Sequence, residues 1–559
     1  MKKKVLVGLS WPYANGRLHI GHVASSLPAD VIARYHRSIG NDVSFITGSD
    51  CFGTPILVQA IAEKVTPESL AEKYHKLLEK DFRALGFSFD NYSKTMSKQH
   101  QEFVQQFHRE LYAGEYIYEK TAPQLYCEKC KKYLPDRYVE GICPHCKKEA
   151  KGDSCDHCGK ILEPEDLISP KCKLCGSKPV GRDTTQMYLK LSALQSQIQQ
   201  FFDKRKERWT ANAQGLTQRY LNEGLHDRAI TRSIEWGVPV PKKGWEEKRI
   251  YIWAENVLGY LSASSTEFIK EASGLCGNSH AASGTGATPL RHLAQTVLDA
   301  GKTSLMNSAN GALLHYYVHA KDNIPFHSII LPGLIMARNA SVKMTGVQGV
   351  TPWYHLPDII VASEYITLEG QKISKSKGNV LTAEELINEF DADMIRYYFL
   401  RTTNSQKDSN FTFEEFVNVI NGELVNNFGN LVNRTLSFIK TKFDGVIPKK
   451  KTAQKVPESY RELMLQGNVN KALDIAMELV NHGNKYFAEH KPWENNDKKV
   501  IAEVVDIIKC ATDMLEPFIP SACAKVKNWL SGNKLPEIEI LFKRLDMKDV
   551  KEKFVRYMK

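Results

Sequence analysis

The 559-residue sequence contains no run of about 18 apolar residues, the length that a membrane-spanning helix requires. Its basic start, Met1–Lys4, resembles the charged part of an export signal, but the apolar stretch behind it stops at Trp11–Gly16 without a cleavage pattern. We therefore expect neither a membrane span nor secretion, and we predict a cytoplasmic protein.

A large excess of one charge is also missing. The 75 Lys and Arg residues exceed the 64 Asp and Glu residues only enough to give a net charge of +11. This excess permits a polyanionic partner without requiring one. The hydrophobic share of 42% is enough for several buried cores, so the length predicts a multidomain globular protein.

Cysteines are few but concentrated. Eight of the twelve form four Cys-x-x-Cys pairs: Cys127 and Cys130, Cys143 and Cys146, Cys155 and Cys158, Cys172 and Cys175. Without an export signal we do not expect disulfides, and four adjacent pairs disfavour a redox motif. Thiolates at this spacing bind zinc in closed tetrahedral sites, so eight ligands predict about two structural Zn²⁺ ions per chain. The spacing leaves open whether consecutive pairs share a zinc or the inner four and outer four form nested sets.

Two distant segments have the composition of a nucleotide site. Gly16–His22 follows the strand-like run Lys4–Leu9, and a lysine-rich loop spans Lys372–Gly378. In a helix that begins near Leu18, both histidine side chains point the same way, beside the first-turn N–H groups where a triphosphate binds. A glycine between the histidines lets adenine lie against the backbone, and the loop brings cations and hydroxyls to the phosphates. The predicted ATP contacts are His19, Gly21, His22, Lys372, Ser374 and Lys375.

The chain is predicted to have an α/β fold, with a Rossmann-type nucleotide-binding domain that is split by a zinc-binding insertion. The predicted parts are the first Rossmann half (1–114), the zinc-binding insertion (115–225), the second half (226–357), a region with the lysine loop (358–412) and a helical bundle (413–559). The second half includes the apolar runs Arg249–Trp253 and Phe326–Leu331, and it carries a Gly, Ser and Ala-rich insertion near 265–314 to which we assign no chemistry.

In this order and at this separation, the histidine segment and the lysine loop resemble the HIGH and KMSKS signatures of class I aminoacyl-tRNA synthetases. Segments along nearly the whole chain resemble the methionyl-tRNA synthetase family. The resemblance implies ATP-dependent ligation of methionine to tRNA(Met) through a methionyl-adenylate, with Mg²⁺-bound ATP and no protein nucleophile. The implied catalytic residues are His19, His22, Lys372 and Lys375.

The resemblance also assigns binding residues. The implied methionine pocket contains Trp11, Tyr13, Asp50, Arg232, Trp253, Tyr260, Phe326 and His327. Asp50 falls where the family binds the substrate ammonium, and the implied anticodon-reading residues are Asn430, Arg434 and Trp493. Some relatives keep only the inner four cysteines, which favours the nested zinc sets. The chain lacks the appended domain that dimerises some relatives, so we expect a monomer.

Other classes of protein share part of this pattern of motifs. Leucine, isoleucine or valine enzymes share both signatures but usually carry a much larger editing insertion. An RNA-binding paralogue without catalysis is expected to lose the histidines or lysines, and a small nucleotidyltransferase would lack the cysteine pairs and the helical region.

The chain departs from the family's common pattern around the implied pocket. The departures are Trp11, Phe52, Glu255 and Val257. Neutral repacking is one explanation of these changes. The other is that Trp11 reshapes the pocket against bulky inhibitors while the flexible methionine still fits.

Overall fold

The computed structural model describes residues 3–152, 155, 157–158, 160, 162–264, 313–345, 354–373, 378–450 and 453–558. The predicted loop residues Ser374 and Lys375 and positions 265–312 of the predicted insertion lie outside the described residues.

The first part of the chain alternates strands and helices. In order these are β1 (Lys4–Leu9), α1 (Ile20–Ser38), β2 (Asp42–Ser49), α2 (Thr54–Glu63), α3 (Pro67–Ala84), β3 (Asn91–Lys94) and α4 (Lys98–Tyr112). The helix starts follow local chemistry. The Thr66 side chain caps α3 and Ser97 caps α4, each accepting a first-turn amide hydrogen that would otherwise lack a partner.

A cysteine-rich segment follows. It contains β4 (Ile117–Cys127), β5 (Lys132–Tyr133), β6 (Val139–Ile142), β7 (Glu149–Lys151), β8 (Ile168–Cys172), β9 (Val180–Leu189), α5 (Gln195–Arg205), α6 (Ala211–Glu223) and β10 (Arg228–Ala229). β4 and β9 form a long antiparallel ribbon, which runs from the Ile117–Leu189 pair to the Tyr126–Val180 pair. The thiol pairs lie beyond the far end of this ribbon.

The chain then returns to the first sheet. The next elements are β11 (Thr231–Arg232), β12 (Arg249–Ile250), α7 (Ile252–Glu255), β13 (Leu313–Ala320), α8 (Leu331–Thr345) and β14 (Ile359–Ser363). The apolar run at Phe326 is helical, because Phe326–Ile330 forms a π-helical turn that continues into α8. The strands that this half adds to the sheet are β13 and β14.

The central sheet has five parallel strands in the order β14-β13-β1-β2-β3. The strand order reverses at β1, with β2 on one side and β13 on the other. In open parallel sheets, ligands bind at the carboxyl ends of the strands at such a point. The segment that follows Leu9 is therefore where this topology places a ligand.

The rest of the chain is mostly helical. It contains β15 (Ile366–Leu368), α9 (Ala383–Ile387), α10 (Ala392–Thr402), β16 (Ser409–Phe411), α11 (Phe413–Val419), α12 (Asn430–Lys442), α13 (Glu458–Leu465), α14 (Val469–His490), α15 (Pro492–Asn495), α16 (Lys498–Leu515), α17 (Pro520–Trp529) and α18 (Met547–Lys553). A π-helical segment, Ile420–Gly429, joins α11 to α12. The predicted α/β fold with a parallel sheet and a helical C-terminal region is confirmed.

A buried ion pair ties the helical region to the sheet. Asp30 on α1 contacts Arg396 on α10 at 2.7 Å, and neither side chain is exposed to solvent. Arg396 also donates to the backbone oxygens of Pro517 and Phe518, both at 2.9 Å. One helix, α1, therefore contacts both the sheet and the bundle. Within the described part of the chain, no helix is both long enough and apolar enough to cross a membrane.

Candidate active site

The two predicted histidines begin α1. His19 is the N-cap residue, and its Nδ1 accepts from the Gly21 amide at 3.1 Å. The His19 amide in turn donates to His22 Nδ1 at 3.3 Å, and the two rings stack with centroids 3.8 Å apart. Since both Nδ1 atoms accept, the neutral imidazoles carry their hydrogen on Nε2 and are donors there. Two donors at the positive end of a helix form an arrangement that suits phosphate oxygens.

The lysine-loop segment is held against this helix start. The Ile20 amide donates to Leu381 O at 3.1 Å, and the Ala383 amide donates to Leu18 O at 2.8 Å. The loop also approaches from its other end, because Ile373 Cδ1 lies 3.8 Å from where a Cβ on Gly21 would stand. Segments more than 350 residues apart in sequence therefore meet at one place.

Arg17 strengthens this junction. Its guanidinium forms ion pairs with Asp81 on α3 and with Glu384 on α9. Lys372 is exposed beside the junction, while Ser374 and Lys375 lie outside the described residues. Gly21 is also constrained, because a Cβ there would stand 3.0 Å from His19 Cε1. A larger residue would displace the imidazole.

Asp50 lies at the carboxyl end of β2. Its backbone pairs with the segment after β1, since the Ala14 amide donates to Asp50 O at 2.7 Å. The carboxyl is 4% exposed and accepts from the Phe52 amide at 3.2 Å. Burial raises the pKa of Asp50, and ionisation of the nearby Glu255 would raise it further. A buried carboxyl at the ligand edge of the sheet can bind a cation.

Most of the predicted pocket aromatics contact one another. Tyr260 Oη and His327 Nε2 are 2.8 Å apart, and His327 Nδ1 lies 3.0 Å from Asn323 O. Burial lowers the pKa of His327 to about 4, so the ring is neutral near pH 7. Trp253 and Phe326 pack with centroids 4.5 Å apart, and both are half-buried. Tyr13 is half-buried and lies under the guanidinium of Arg137 at 5.3 Å.

Two glycines make room for Trp11. A Cβ on Gly259 would lie 2.9 Å from Trp11 Cη2, and one on Gly48 would lie 2.9 Å from Trp11 Cε3. Tyr260 meets the indole edge-on at 6.3 Å, and the indole Nε1 is buried without a hydrogen-bond partner among the described residues. Trp11 thus fills space beside Tyr260.

Arg232 contacts the cysteine-rich segment and an aromatic ring. Arg232 is buried and pairs with Asp136 of the cysteine-rich segment at 3.3 Å. Its guanidinium stacks on Tyr251 at 3.6 Å, and Tyr251 contacts Trp253 at 5.0 Å between centroids. Arg232 therefore adjoins the aromatic pocket through Tyr251, where it fixes the cysteine-rich segment.

Sequence reasoning missed a second buried polar group beside the pocket. His100 on α4 and Glu255 on α7 are joined by a 2.5 Å contact between Nε2 and Oε1, and each side chain is 1% exposed. His100 also packs against the indole of Trp11 at 6.1 Å. Glu255 was noted only as a departure from the family pattern, and nothing in the sequence marked His100.

Two of the three predicted anticodon residues pack against a residue that was not predicted, Phe487. Arg434 on α12 lies 4.1 Å from the ring of Phe487 on α14, and Trp493 packs against the same ring at 5.9 Å. Arg434 also donates to Asn484 O at 2.9 Å. Trp493 is 49% exposed, and Asn430 is exposed one helical turn before Arg434. This surface, consisting of Asn430, Arg434, Phe487 and Trp493, is called the aromatic patch below.

The eight paired cysteines form two nested sets. The outer set is Cys127, Cys130, Cys172 and Cys175, and the inner set is Cys143, Cys146, Cys155 and Cys158. Within each set the ligand atoms lie within 4.8 Å of one another, and the shortest sulfur distances are between 3.4 and 3.9 Å. These distances exceed a disulfide bond and match the edge of about 3.8 Å that a ZnS₄ tetrahedron has. The donor sets fit Zn²⁺.

Known proteins resemble this chain along nearly its whole length. The family model described as tRNA synthetases class I (M) matches residues 5–436. The chain is 39% identical to methionine–tRNA ligase 1 of Alkaliphilus oremlandii over 578 residues, with 99% of both chains covered. It is 38% identical to the methionine–tRNA ligase of Bacillus mycoides over 573 residues, covering 98% of this chain and 97% of the relative.

A solved structure shares the fold. The methionyl-tRNA synthetase of Mycobacterium tuberculosis, in complex with methionyl-adenylate, matches with a TM-score of 0.72 at 21% identity. The match covers 97% of this chain and all of the other. The matched family and the full-length identities show that this chain belongs to the methionine–tRNA ligase family of the class I tRNA synthetases.

Proposed function

We propose that this protein ligates L-methionine to tRNA(Met) in two steps. The methionine carboxylate attacks the α-phosphorus of ATP, which gives methionyl-adenylate and releases pyrophosphate. A hydroxyl of the terminal adenosine ribose then attacks the activated carbonyl, and AMP leaves. Neither step requires a protein nucleophile, so the chain's contribution is positioning and charge stabilisation.

The α1 start and the lysine loop are proposed to hold ATP. The Nε2 hydrogens of His19 and His22 donate to phosphate oxygens, and Gly21 lets the adenine approach the backbone. Lys372, Ser374 and Lys375 add cations and a hydroxyl from the loop, which closes over the pyrophosphate as it forms. The ATP is taken up with Mg²⁺, which neutralises phosphate charge.

Asp50 and the aromatic pocket are proposed to hold methionine. Asp50 pairs with the α-ammonium, and the half-buried rings of Tyr13, Trp253 and Phe326 provide apolar surface for the thioether. Sulfur–aromatic contacts suit this side chain. Tyr260 and the neutral His327 form a hydrogen-bonded wall beside Trp11, and Arg232 supports Trp253 through Tyr251.

The remaining elements are proposed to handle tRNA and structure. The aromatic patch stacks on unpaired anticodon bases, with Asn430 and Arg434 binding base edges. The two cysteine sets hold two structural zinc ions, which would stabilise the tip of the β4–β9 ribbon. We also propose that the enzyme is a monomer in the cytoplasm.

The observation that carries the proposal is the meeting of the His19–His22 helix start with the lysine-loop segment at the carboxyl edge of the sheet, next to Asp50. Amino-acid-dependent exchange between ATP and labelled pyrophosphate tests it across the twenty amino acids. We expect exchange with methionine alone at low amino-acid concentration. Exchange that depends on leucine, isoleucine or valine would contradict the assignment, and so would none with any amino acid.

A further inference from the structure

Glu255 is a buried acid to which the proposed reaction assigns no role. Its Oε1 contacts His100, but its Oε2 is buried and has no hydrogen-bond partner among the described residues. Leaving a buried carboxyl oxygen without a partner is costly, so such an atom indicates a missing donor.

The unpartnered oxygen belongs to the segment that packs on Asp50. Asn256, the next residue, hydrogen-bonds to the Asp50 side chain. Glu255 lies near enough to Asp50 that its ionisation would raise the pKa of Asp50, whereas the positive charge of Arg137 lowers it. Two buried carboxyls therefore share one small region at the ligand edge of the sheet.

One tautomer of His100 gives each of its neighbours a hydrogen-bond partner. Ser262 Oγ lies 3.1 Å from Gly259 O and 2.8 Å from His100 Nδ1, so it can donate to the carbonyl and accept from the ring. With the hydrogen on Nδ1, Nε2 is an acceptor, and the 2.5 Å contact is then a hydrogen bond from a protonated Glu255. Burial favours this neutral pair, because it raises the pKa of Glu255 and lowers that of His100 to about 3.

We propose that Glu255 is the second carboxyl group of the amino-group site, so that the substrate α-ammonium is held between Asp50 and Glu255 Oε2. When the ammonium arrives, the O–H bond at Glu255 Oε1 breaks and an N–H bond forms at His100 Nε2. Glu255 becomes a carboxylate that accepts an ammonium N–H, and His100 becomes an imidazolium. The Glu255–His100 pair stays neutral overall, the ammonium balances the charge of Asp50, and no proton is exchanged with solvent.

This inference rests on the proposed function, since it assumes an amino-acid substrate at Asp50. It adds a reason why the cation binds strongly in a buried place. A single carboxylate offers acceptors on one side of the ammonium only, whereas a second one accepts a further N–H and releases its own proton only when the cation is present.

Binding measurements with two ligands test the inference. One is the sulfamoyl analogue of methionyl-adenylate, and the other is the same compound without its amino group; the adenosine part keeps both affinities measurable. In Glu255→Gln, the aminated ligand should bind at least tenfold more weakly, and the deaminated one should be unchanged. The exposed Glu247→Gln is the matched control and should bind both ligands as the wild type does.

A second measurement uses the wild type and does not depend on the stability of a variant. In protein with ¹⁵N-labelled histidine, the aminated ligand should convert one neutral imidazole into an imidazolium, and that signal should be missing in His100→Gln. The deaminated ligand should cause no conversion. Equal losses for both ligands in Glu255→Gln, no loss at all, or no imidazole gaining a proton would overturn the proposal. Methionine-dependent exchange between ATP and pyrophosphate by the wild type tests the proposed function separately. If that exchange is present, the outcomes above overturn only the role of Glu255.

Discussion

Trp11 shows how single residues shape this site. An indole fits beside Tyr260 only because positions 48 and 259 are glycines, whose missing Cβ atoms leave the space it occupies. Its buried Nε1 has no partner among the described residues, so the ring is held there by packing. A buried Nε1 without a hydrogen-bond partner lowers folding stability. We therefore infer that Trp11 has a role in the shape of the pocket.

Replacing Trp11 by Leu should open the space between the two glycines and Tyr260. Bulky inhibitors directed at the methionine pocket should then bind at least tenfold more tightly, about 1.4 kcal/mol, while the KM for methionine changes little. Inhibition constants measured on both proteins check this, with Trp493→Leu as a distant control. An unchanged inhibitor affinity would leave neutral repacking as the explanation.

A second prediction at the level of single residues concerns Lys375, which lies outside the described residues. Lys375→Ala should lower the rate of adenylate formation by orders of magnitude and leave methionine binding nearly intact, because its charge acts mainly in the transition state. Single-turnover kinetics measure the rate of adenylate formation, and equilibrium binding measures the affinity for methionine. The exposed Lys407→Ala serves as the control. Equal losses in both would indicate a uniform binding role or misfolding.

At the scale of elements, the turn between α14 and α15 presents the proposed base-stacking surface. Lys491 adopts a left-handed conformation at φ 39° and ends α14, and Pro492 starts the next short helix. This turn sets Trp493 against Phe487 while leaving about half of the indole exposed. An indole held by one neighbour and open on another side is available to a nucleic-acid base.

Trp493→Ala should therefore weaken tRNA charging and spare amino-acid activation. Loss of one stacking platform costs about 1–3 kcal/mol, so kcat/KM for tRNA should fall roughly ten- to a hundredfold. Methionine-dependent pyrophosphate exchange without tRNA should barely change. A parallel collapse of exchange would show that Trp493 supports the core.

The two cysteine sets would be stabilised differently from the helices, because a bound zinc ion would take the place of a hydrophobic core. Elemental analysis should give about two zinc ions per chain, and Cys130→Ser with Cys175→Ser should reduce this to one. Chelation should lower the thermal unfolding temperature, since structural zinc adds to folding stability. One zinc in the wild type, with the four outer thiols reactive, would refute the two-site prediction.

At the scale of the whole molecule, the sequence predicted what depends on local pattern. The helix that the sequence analysis considered near Leu18 begins at Ile20, and the α/β fold with a helical C-terminal region followed from periodicity. The thiol spacing predicted two zinc sites but left their pairing open. The resemblance favoured the nested sets, and the structure has them: Cys127 Sγ lies 3.5 Å from Cys175 Sγ in the outer set, and Cys146 Sγ lies 3.4 Å from Cys155 Sγ in the inner set.

Contacts between distant segments could not be predicted in this way. The His100–Glu255 pair joins residues 155 positions apart, and neither has a motif around it. Arg232 was assigned to the pocket by resemblance alone, whereas the structure pairs it with Asp136 of the cysteine-rich segment. Phe487, which Arg434 and Trp493 share, looks in sequence like any core aromatic of an amphipathic helix.

One helix links the functions of the molecule. α1 carries the histidine pair at its start, and its Asp30 binds Arg396, which donates to the loop between α16 and α17. The proposed nucleotide site and the helical region are thereby parts of one packed unit. A protein built in this way is suited to act on a substrate that contacts both ends.

Charging of tRNA tests this account most directly. Purified protein is incubated with ATP, labelled methionine and either tRNA(Met) or the same tRNA with a changed anticodon, and acid-precipitable label is counted. The account predicts methionyl-tRNA with tRNA(Met) and a loss of at least tenfold with the changed anticodon. Absence of charging, or equal charging of both tRNAs, would contradict it.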